Sequence, residues 1–281
     1  MNRRTLLFVM DVNTPDDQII GAANRAQLSL DHLSCLILGA APTLPMYAYG
    51  VTPYGSLNIP DNWPDLLQDA KHALETRVQE VETLLAQSGA SGDVQSMLGA
   101  TVDFKHHVAR RARVCDEVYI AASLRDTPQI MREAAFGVLF HSPVGLRLNG
   151  DAALDAPRVL VAWDSSEAAA RSVHAALPYL KTAKDVIIMC IDPIVTDERD
   201  GQDPGADLAT WLSHHGCHVT VSQLPSGGLD IAECLQIRAK EIGSDLIVMG
   251  AYGHARMIEI VFGGTTRTMS DQTELPVFLA H

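Results

Sequence analysis

Basic residues are scarce in this chain, with 21 Lys and Arg against 34 Asp and Glu among 281 residues and a formal charge of −13. A surface that displaces counterions from nucleic-acid phosphates needs clustered Lys and Arg, so no nucleic-acid partner is expected. The one basic run, Arg110-Arg111-Ala112-Arg113, reads as the solvated face of a helix. The five cysteines, Cys35, Cys115, Cys190, Cys217 and Cys234, are odd in number and form no close pair. That spacing argues against a disulfide framework and a zinc cluster, and fits a reducing compartment. A long apolar run is missing too: the one behind Met1-Asn2-Arg3-Arg4 stops at Asp11, too short for a signal-peptide core or a membrane span. The expected location is the cytoplasm, with no membrane partner. A Walker lysine loop, a Gly-x-Gly-x-x-Gly in the first 150 residues and a serine in an elbow pattern are all absent. Ordinary ATPase chemistry therefore has no recognisable engine, and a dedicated catalytic activity is not the expectation. Eleven histidines are present, but the densest groups, His106-His107 and His214-His215 with His218, lack the i, i+4 spacing that lets two rings share an ion on a helix. No metal centre is expected.

What the chain does have is length and repetition. Its 281 residues exceed one ordinary core and suggest two domains. An apolar run at 5–10 ends in Asp11, and another at 158–163 ends in Asp164, each followed by polar residues and a helical pattern. That is the mark of an internal repeat. The second copy reads as helix 166–180, strand 185–191, a Pro/Asp/Gly-rich loop, helix 204–215, strand 217–224, helix 230–242, strand 245–249, a glycine loop, helix 265–272 and strand 276–279. The first reads as helix 16–30, strand 33–38, a long loop, helix 65–87, strand 93–98, helix 102–114, strand 117–121, a packed helix over 134–140 and strand 144–148. Strands alternating with helices imply parallel sheets covered on both faces. The helix at 65–87 is the clearest element, with Leu66, Leu67, Ala70, Leu74, Val78, Val81, Leu84 and Leu85 at helical spacing, Pro64 at its entry and Gly89 after it. The turn residues of 149–157 place the boundary between a domain of residues 1–150 and one of 151–281.

Gly250-Ala251-Tyr252-Gly253 and, nine residues on, Gly263-Gly264-Thr265-Thr266 are the most specific feature. A strand feeds the first glycine and a helix starts at the last, so free N–H groups and the positive end of a helix dipole converge on one anion-binding loop. In an open parallel sheet a ligand lies at the carboxyl ends of the strands where the winding reverses. If the first and fourth strands of the copy are neighbours, Asp164 accepts hydrogen bonds from ribose hydroxyls beside that loop. The competing reading is that Asp164 only caps the next helix, as Ser165 and Ser166 also could. His254 follows Gly253 directly and Arg256 is close by; either could reach a phosphate oxygen.

Asp164 after a first strand, followed by Gly250-x-x-Gly253, nine residues and Gly263-Gly264-Thr265, resembles the universal stress protein family over nearly the whole chain. The resemblance implies two tandem open five-stranded parallel sheets of Rossmann-like type arranged as a pseudo-dimer, with the last strands, 144–148 and 277–279, packed together, and a possible homodimer beyond that. It implies a stress-response regulator that binds ATP, with or without Mg. Ribose would contact Asp164 and Gly250, and phosphate would contact Gly253, Gly263, Gly264, Thr265 and Thr266. Adenine would lie by the second strand near Cys190. Gly264 departs from the family pattern, where Ser or Thr is usual, and Thr265 and Thr266 are the residues able to supply the missing hydroxyl.

An ungapped match of 117–120 on 245–248 puts Ala122 and Arg125 where the second copy has Gly250 and Gly253, so one nucleotide site per chain is expected, in the second half. The first half is left with a structural role or a different ligand. Two further functions stay open: a slow ATP-cleaving enzyme, and a scaffold for an apolar ligand or an unknown protein partner. Ser226-Gly227-Gly228-Leu229-Asp230 resembles the phosphate loop of ATP pyrophosphatases, but it follows a third strand rather than a first, and a Gly-Gly turn with a capping Asp explains it more simply. The proline-rich, aromatic stretch 41–63 reads either as a lid over a ligand or as a packing arm.

Overall fold

Strand β1 (Thr5–Asp11) is buried at every position after Thr5, and β2 (His32–Ala40) is buried from Leu33 to Gly39. Unbroken burial, rather than alternation, is what a parallel strand with both faces covered requires. These strands come from a computed structural model that describes residues 3–44, 60–149, 156–251 and 264–281. Most of the stretch 41–63 and of the join at 149–157 lies outside the described residues. The chain divides into two compact units, residues 1–142 and 143–281.

In the first unit the strand order is β3-β2-β1-β4, all parallel, with β3 at Ser91–Gly99 and β4 at Glu117–Ile120. Helix α1 (Asp16–Ser29) packs beside α2 (Trp63–Ser88), and α3 (Phe104–Ala112) beside α4 (Pro128–His141). Helix α2 is the element read at 65–87. Pro64 occupies its first turn, Leu74, Val81 and Leu85 are buried, and Gly89 ends it in the left-handed region at φ 69°. At the sheet edge the His32 ring lies between Ser91 Oγ at 3.0 Å and Asp93 Oδ1 at 2.9 Å, which fixes the register of β2 on β3. The basic run 110–113 sits on and just after α3, where Arg111 approaches Asp93 at 3.8 Å and Arg113 Nε donates to the His141 carbonyl. It is a structural face of that helix.

The second unit holds β5 (Gly145–Leu148), β6 (Arg158–Ala162), β7 (Asp185–Ile191), β8 (Val219–Leu224), β9 (Leu246–Gly250) and β10 (Val277–Ala280). Their order is β5-β10-β9-β6-β7-β8, parallel except for β5. The α/β class with parallel sheets flanked by helices is thus observed. Strand β5, read as the last strand of the first copy, pairs antiparallel with β10 through Leu148↔Val277 and Leu146↔Leu279, the packing of the two last strands that the resemblance implies, and falls in the second unit. Its position is held by Phe278, whose ring lies so close that a Cβ on Gly145 would be 2.0 Å from Cζ.

The two faces of this second sheet have different tasks. Val159, Val161, Val186, Ile188, Cys190 and Val248 join one apolar cluster with α5 (Glu167–Thr182) and α6 (Ala206–His214). Met189, Ile191 and Met249, one residue out of phase, turn to the face covered by α7 (Ile231–Ile242) and α8 (Gly264–Asp271). All five cysteines are free thiols. Burial, and then the nearby Asp93 carboxylate, pushes Cys35 up to about 12, while burial and then Asp200 push Cys190 up to about 11. Because the folded state favours the protonated thiol, this contribution to stability is complete below the ordinary value of 9.0 and is lost as pH climbs towards the raised values. The attacking species is the thiolate. At pH 8, iodoacetamide should therefore modify Cys35 and Cys190 at least about 100-fold more slowly in the native chain than in urea. Peptide mapping showing equal rates would refute the buried, protonated assignment.

Candidate functional site

Strand β6 lies between β9 and β7, with Ala162 beside Met249 on one side and Met189 on the other. The chain leaves β6 for β7 in one direction and returns to β9 on the other side, so the carboxyl end of β6 is a winding reversal. A cleft of about 420 Å³ opens there. Its floor is apolar, from Met189, Ile191, Met249, Ile231 and Leu235. Its polar wall comes from the ends of β6 and β7 and from the first turn of α8.

Asp164 lines this cleft and is exposed to solvent. Ser165 takes a left-handed φ of 58°, which turns the chain sharply and lets Asp164 Oδ1 accept from the Ser166 amide at 3.1 Å. Ser166, not Asp164, caps α5, its Oγ accepting from the Ala169 amide at 3.1 Å. The two readings of Asp164 therefore coexist: it shapes the turn into α5, and it faces the cleft.

Gly250 also lines the cleft, but its lack of a side chain has a packing reason. A Cβ there would lie 2.5 Å from the Ala169 nitrogen and 2.7 Å from the Ala168 carbonyl carbon. The first turn of α5 rests directly on the end of β9. Gly264, Thr265 and Thr266 line the cleft at the N-terminus of α8, the positive end of that helix. Among the described residues a Cβ on Gly264 would meet nothing within 4 Å, so packing against them does not impose the departure from Ser or Thr at this position. Gly253, His254 and Gly263 lie outside the described residues, as does Arg256.

Cys190 is not on the cleft wall. Its thiol is buried in the core on the other face of the sheet, 3.2 Å from where a Cβ on Gly205 would be, so the contribution of β7 comes from Met189 and Ile191 instead. The strand is the expected one; the side chain is on the wrong side of the pleat. Sequence reading missed three charged residues in the loop after β7 that join the lining, Asp192, Arg199 and Asp200. Asp192 Oδ1 accepts from the Ser226 amide at 3.0 Å, and this hydrogen bonding to Ser226 holds its carboxyl below the usual range. Asp200 Oδ2 accepts from the Ile194 amide at 2.6 Å. The Ser226-Gly227-Gly228 segment forms a turn with both glycines at positive φ, 67° and 87°, and Asp230 caps α7 by accepting from the Ala232 amide at 2.8 Å. It is a turn with a capping residue, as its position in the chain suggested.

The equivalent place in the first unit is filled by its own side chains. Asp11, 3% exposed, accepts from the Asn13 amide, from Thr14 Oγ1 at 3.1 Å and from Thr127 Oγ1 at 3.2 Å. Ser123 Oγ donates to Thr14 Oγ1 at 3.0 Å, and a short 3-10 turn at Ala122–Asp126 stands where the second unit has the start of its glycine loop. The carboxylate that survives in the first copy is spent on these bonds.

A parallel sheet with a ligand-sized cleft at its winding reversal, a carboxylate at the end of one strand and a helix N-terminus in its lining defines a doubly wound α/β protein. More particularly, the chain folds like universal stress proteins over its full length. Against one from Archaeoglobus fulgidus the TM-score is 0.66 at 16% identity, covering 98% of this chain and 97% of that one. Against a putative universal stress protein from Pseudomonas aeruginosa it is 0.53 at 15% identity, covering 99% and 93%. A functionally unknown protein from Pseudomonas aeruginosa PAO1 gives 0.50 at 15% identity, covering 99% and 92%. No protein-family model and no curated protein sequence matches the chain.

Proposed function

We propose that this chain is a tandem universal stress protein whose second unit, the domain that follows the join at 149–157, binds an adenine nucleotide in the cleft and acts as a nucleotide-responsive regulator. The observation that carries the reading is the pairing of β6 with β9, which sets Asp164 and the α8 N-terminus on two walls of one cleft. A volume of about 420 Å³ with an apolar floor suits a nucleoside-sized ligand. Asp164 would accept from ribose hydroxyls, and the amides of 264–266 with Thr265 would donate to phosphate. ATP, with Mg or without, is the proposed ligand, and the first unit, its own carboxylate occupied, serves as structure.

Mass spectrometry of the purified chain should find co-purified adenine nucleotide, and added ATP with magnesium should raise the melting temperature. No bound nucleotide and no shift would refute the reading. Asp164→Ala should weaken binding by about tenfold or more, the loss of a hydrogen bond to a charged acceptor, while the Ser166 cap keeps α5 in place. Retained ATP that stays intact for hours supports the regulatory role; turnover at a steady rate would favour the slow ATP-cleaving enzyme.

A further inference from the structure

The loop after β7, residues 192–203, is fixed at its two ends and free between them. At the first end the Asp192 amide donates to the Leu224 carbonyl at 3.0 Å and the Asp192 carboxylate accepts from the Ser226 amide. At the second, Gln223 Nε2 donates to Asp203 Oδ1 at 2.9 Å and to the Pro204 carbonyl at 3.0 Å. The span 193–202 bonds only to itself. The Ile194 amide donates to Asp200 Oδ2, the Ile194 carbonyl accepts from the amides of Thr196 and Asp200, the Gly201 amide donates to the Thr196 carbonyl, and Gln202 Nε2 donates to Asp197 Oδ1. Among the described residues no hydrogen bond or ion pair joins 193–202 to another part of the chain. None of its residues is buried.

A span closed on itself by several bonds, without a buried side chain, moves as one body at low cost while its anchored ends stay in place. The chain turns sharply at two points that suit such a motion, Asp192 at φ 48° and Gly201 at φ 76°. A Cβ on Gly201 would meet nothing within 4 Å among the described residues, so the turn there is not wedged against a neighbour.

The span also presents an apolar side chain to the cleft. Ile194 is 47% exposed and belongs to the lining, beside a floor of Met189, Ile191, Met249, Ile231 and Leu235. Val195, the next residue, is 51% exposed and lies outside that lining. A half-exposed isoleucine at the edge of such a floor gains free energy when an apolar surface comes against it. It has nothing to offer a phosphate, whose desolvation is costly, so its contact is with the base.

We infer that loop 192–203 is a flap: when the cleft is occupied, 193–202 moves as a body between its fixed ends and seats Ile194 on the base of the bound nucleotide. The inference rests on the adenine-nucleotide reading and goes beyond it by assigning a moving part and the residue that makes its contact.

Hydrogen–deuterium exchange of the full chain, with and without ATP and magnesium chloride, reads the closure. Amides in 193–202 should exchange at least about fivefold more slowly in the bound chain. Ile194→Ser should raise the calorimetric Kd for ATP about five- to tenfold and remove most of that slowing, while the ligand-free variant melts where the native chain does. Val195→Ser should leave the Kd unchanged. If ATP raises the melting temperature but exchange in 193–202 is the same with and without it, the flap is overturned and the nucleotide site stands. An Ile194→Ser chain that binds as tightly as the native one, or a Val195→Ser chain weakened as much, overturns it in the same way. Absence of any melting shift with ATP would overturn the adenine reading and the flap with it.

Discussion

Gly137→Val is expected to cost the first unit about 3 kcal/mol, at the upper end of the range for overpacked sites. Gly137 is buried in α4, at the crossing with α3, and an added Cβ would lie 2.3 Å from the Lys105 carbonyl oxygen and 2.9 Å from its Cα. These are backbone atoms of the neighbouring helix, so no rotamer change relieves the overlap; α3 and α4 have to separate along their contact. Two opposing terms set the magnitude. Replacing a helical glycine gains up to about 1 kcal/mol of backbone entropy for Ala, less for a β-branched residue. Separating the helices loses burial around Val108 and Val138, both fully buried. The second term wins, by less for Gly137→Ala, where about 1–2 kcal/mol is expected. Urea unfolding followed by circular dichroism measures it as a lower midpoint. A ligand-induced melting shift in the second unit should survive. A loss under about 0.5 kcal/mol for the valine variant would mean that α3 and α4 do not cross as closely as described.

That glycine also shows how far local pattern can reach. Among residues 123–143 it was legible as part of a packed helix, because Ala134, Ala135, Val138 and Leu139 fall on one side. The first turn of α4, at Pro128, was not read, although Thr127-Pro128 is an ordinary helix-start signal. The reason is the turn before it, Ala122–Asp126, whose shape is set by Thr127 and Ser123 bonding to Asp11 and Thr14 more than a hundred residues away. Strand parity is a second instance. The end of β7 was legible as part of a ligand site from the order of elements, but a slip of one residue moves a side chain through the sheet, and Cys190 is on the far face from Met189 and Ile191. The acidic loop after β7 was visible as a composition. Its presence at the cleft depends on β7 lying beside β6, which local pattern does not fix. Strand β5 differs: local pattern shows only its apolar run, but the family resemblance implies its packing on the other last strand, and β10, some 130 positions on, is its antiparallel partner. By contrast, the adjacency of β6 and β9, stated as a condition from the repeat alone, holds residue by residue.

Gly250→Ala is expected to lower the stability of the second unit by about 2 kcal/mol and to abolish the nucleotide-dependent melting shift in the same variant. A glycine that begins a phosphate loop and a glycine that admits a helix look identical in sequence, and the geometry separates them. The missing Cβ of Gly250 is directed at the Ala168–Ala169 peptide, in the first turn of α5, with contacts of 2.5 and 2.7 Å and a third of 3.0 Å to Ala168 Cβ. Pushing that turn away disturbs the Ser166 cap and, through the Ser166 amide, the carboxylate of Asp164. Binding would then fail because Asp164, the residue proposed to contact ribose, is displaced, not because a side chain enters the ligand's space. The two causes give different pairings of results. If Gly250 acts through α5, stability and binding fall together, whereas Asp164→Asn, which keeps an oxygen for the Ser166 amide, weakens binding at nearly unchanged stability. A Gly250→Ala chain that unfolds at the native urea midpoint yet no longer binds nucleotide would assign the glycine to the ligand instead. The packing of α5 on β9 would then have to be looser by the width of a methyl group.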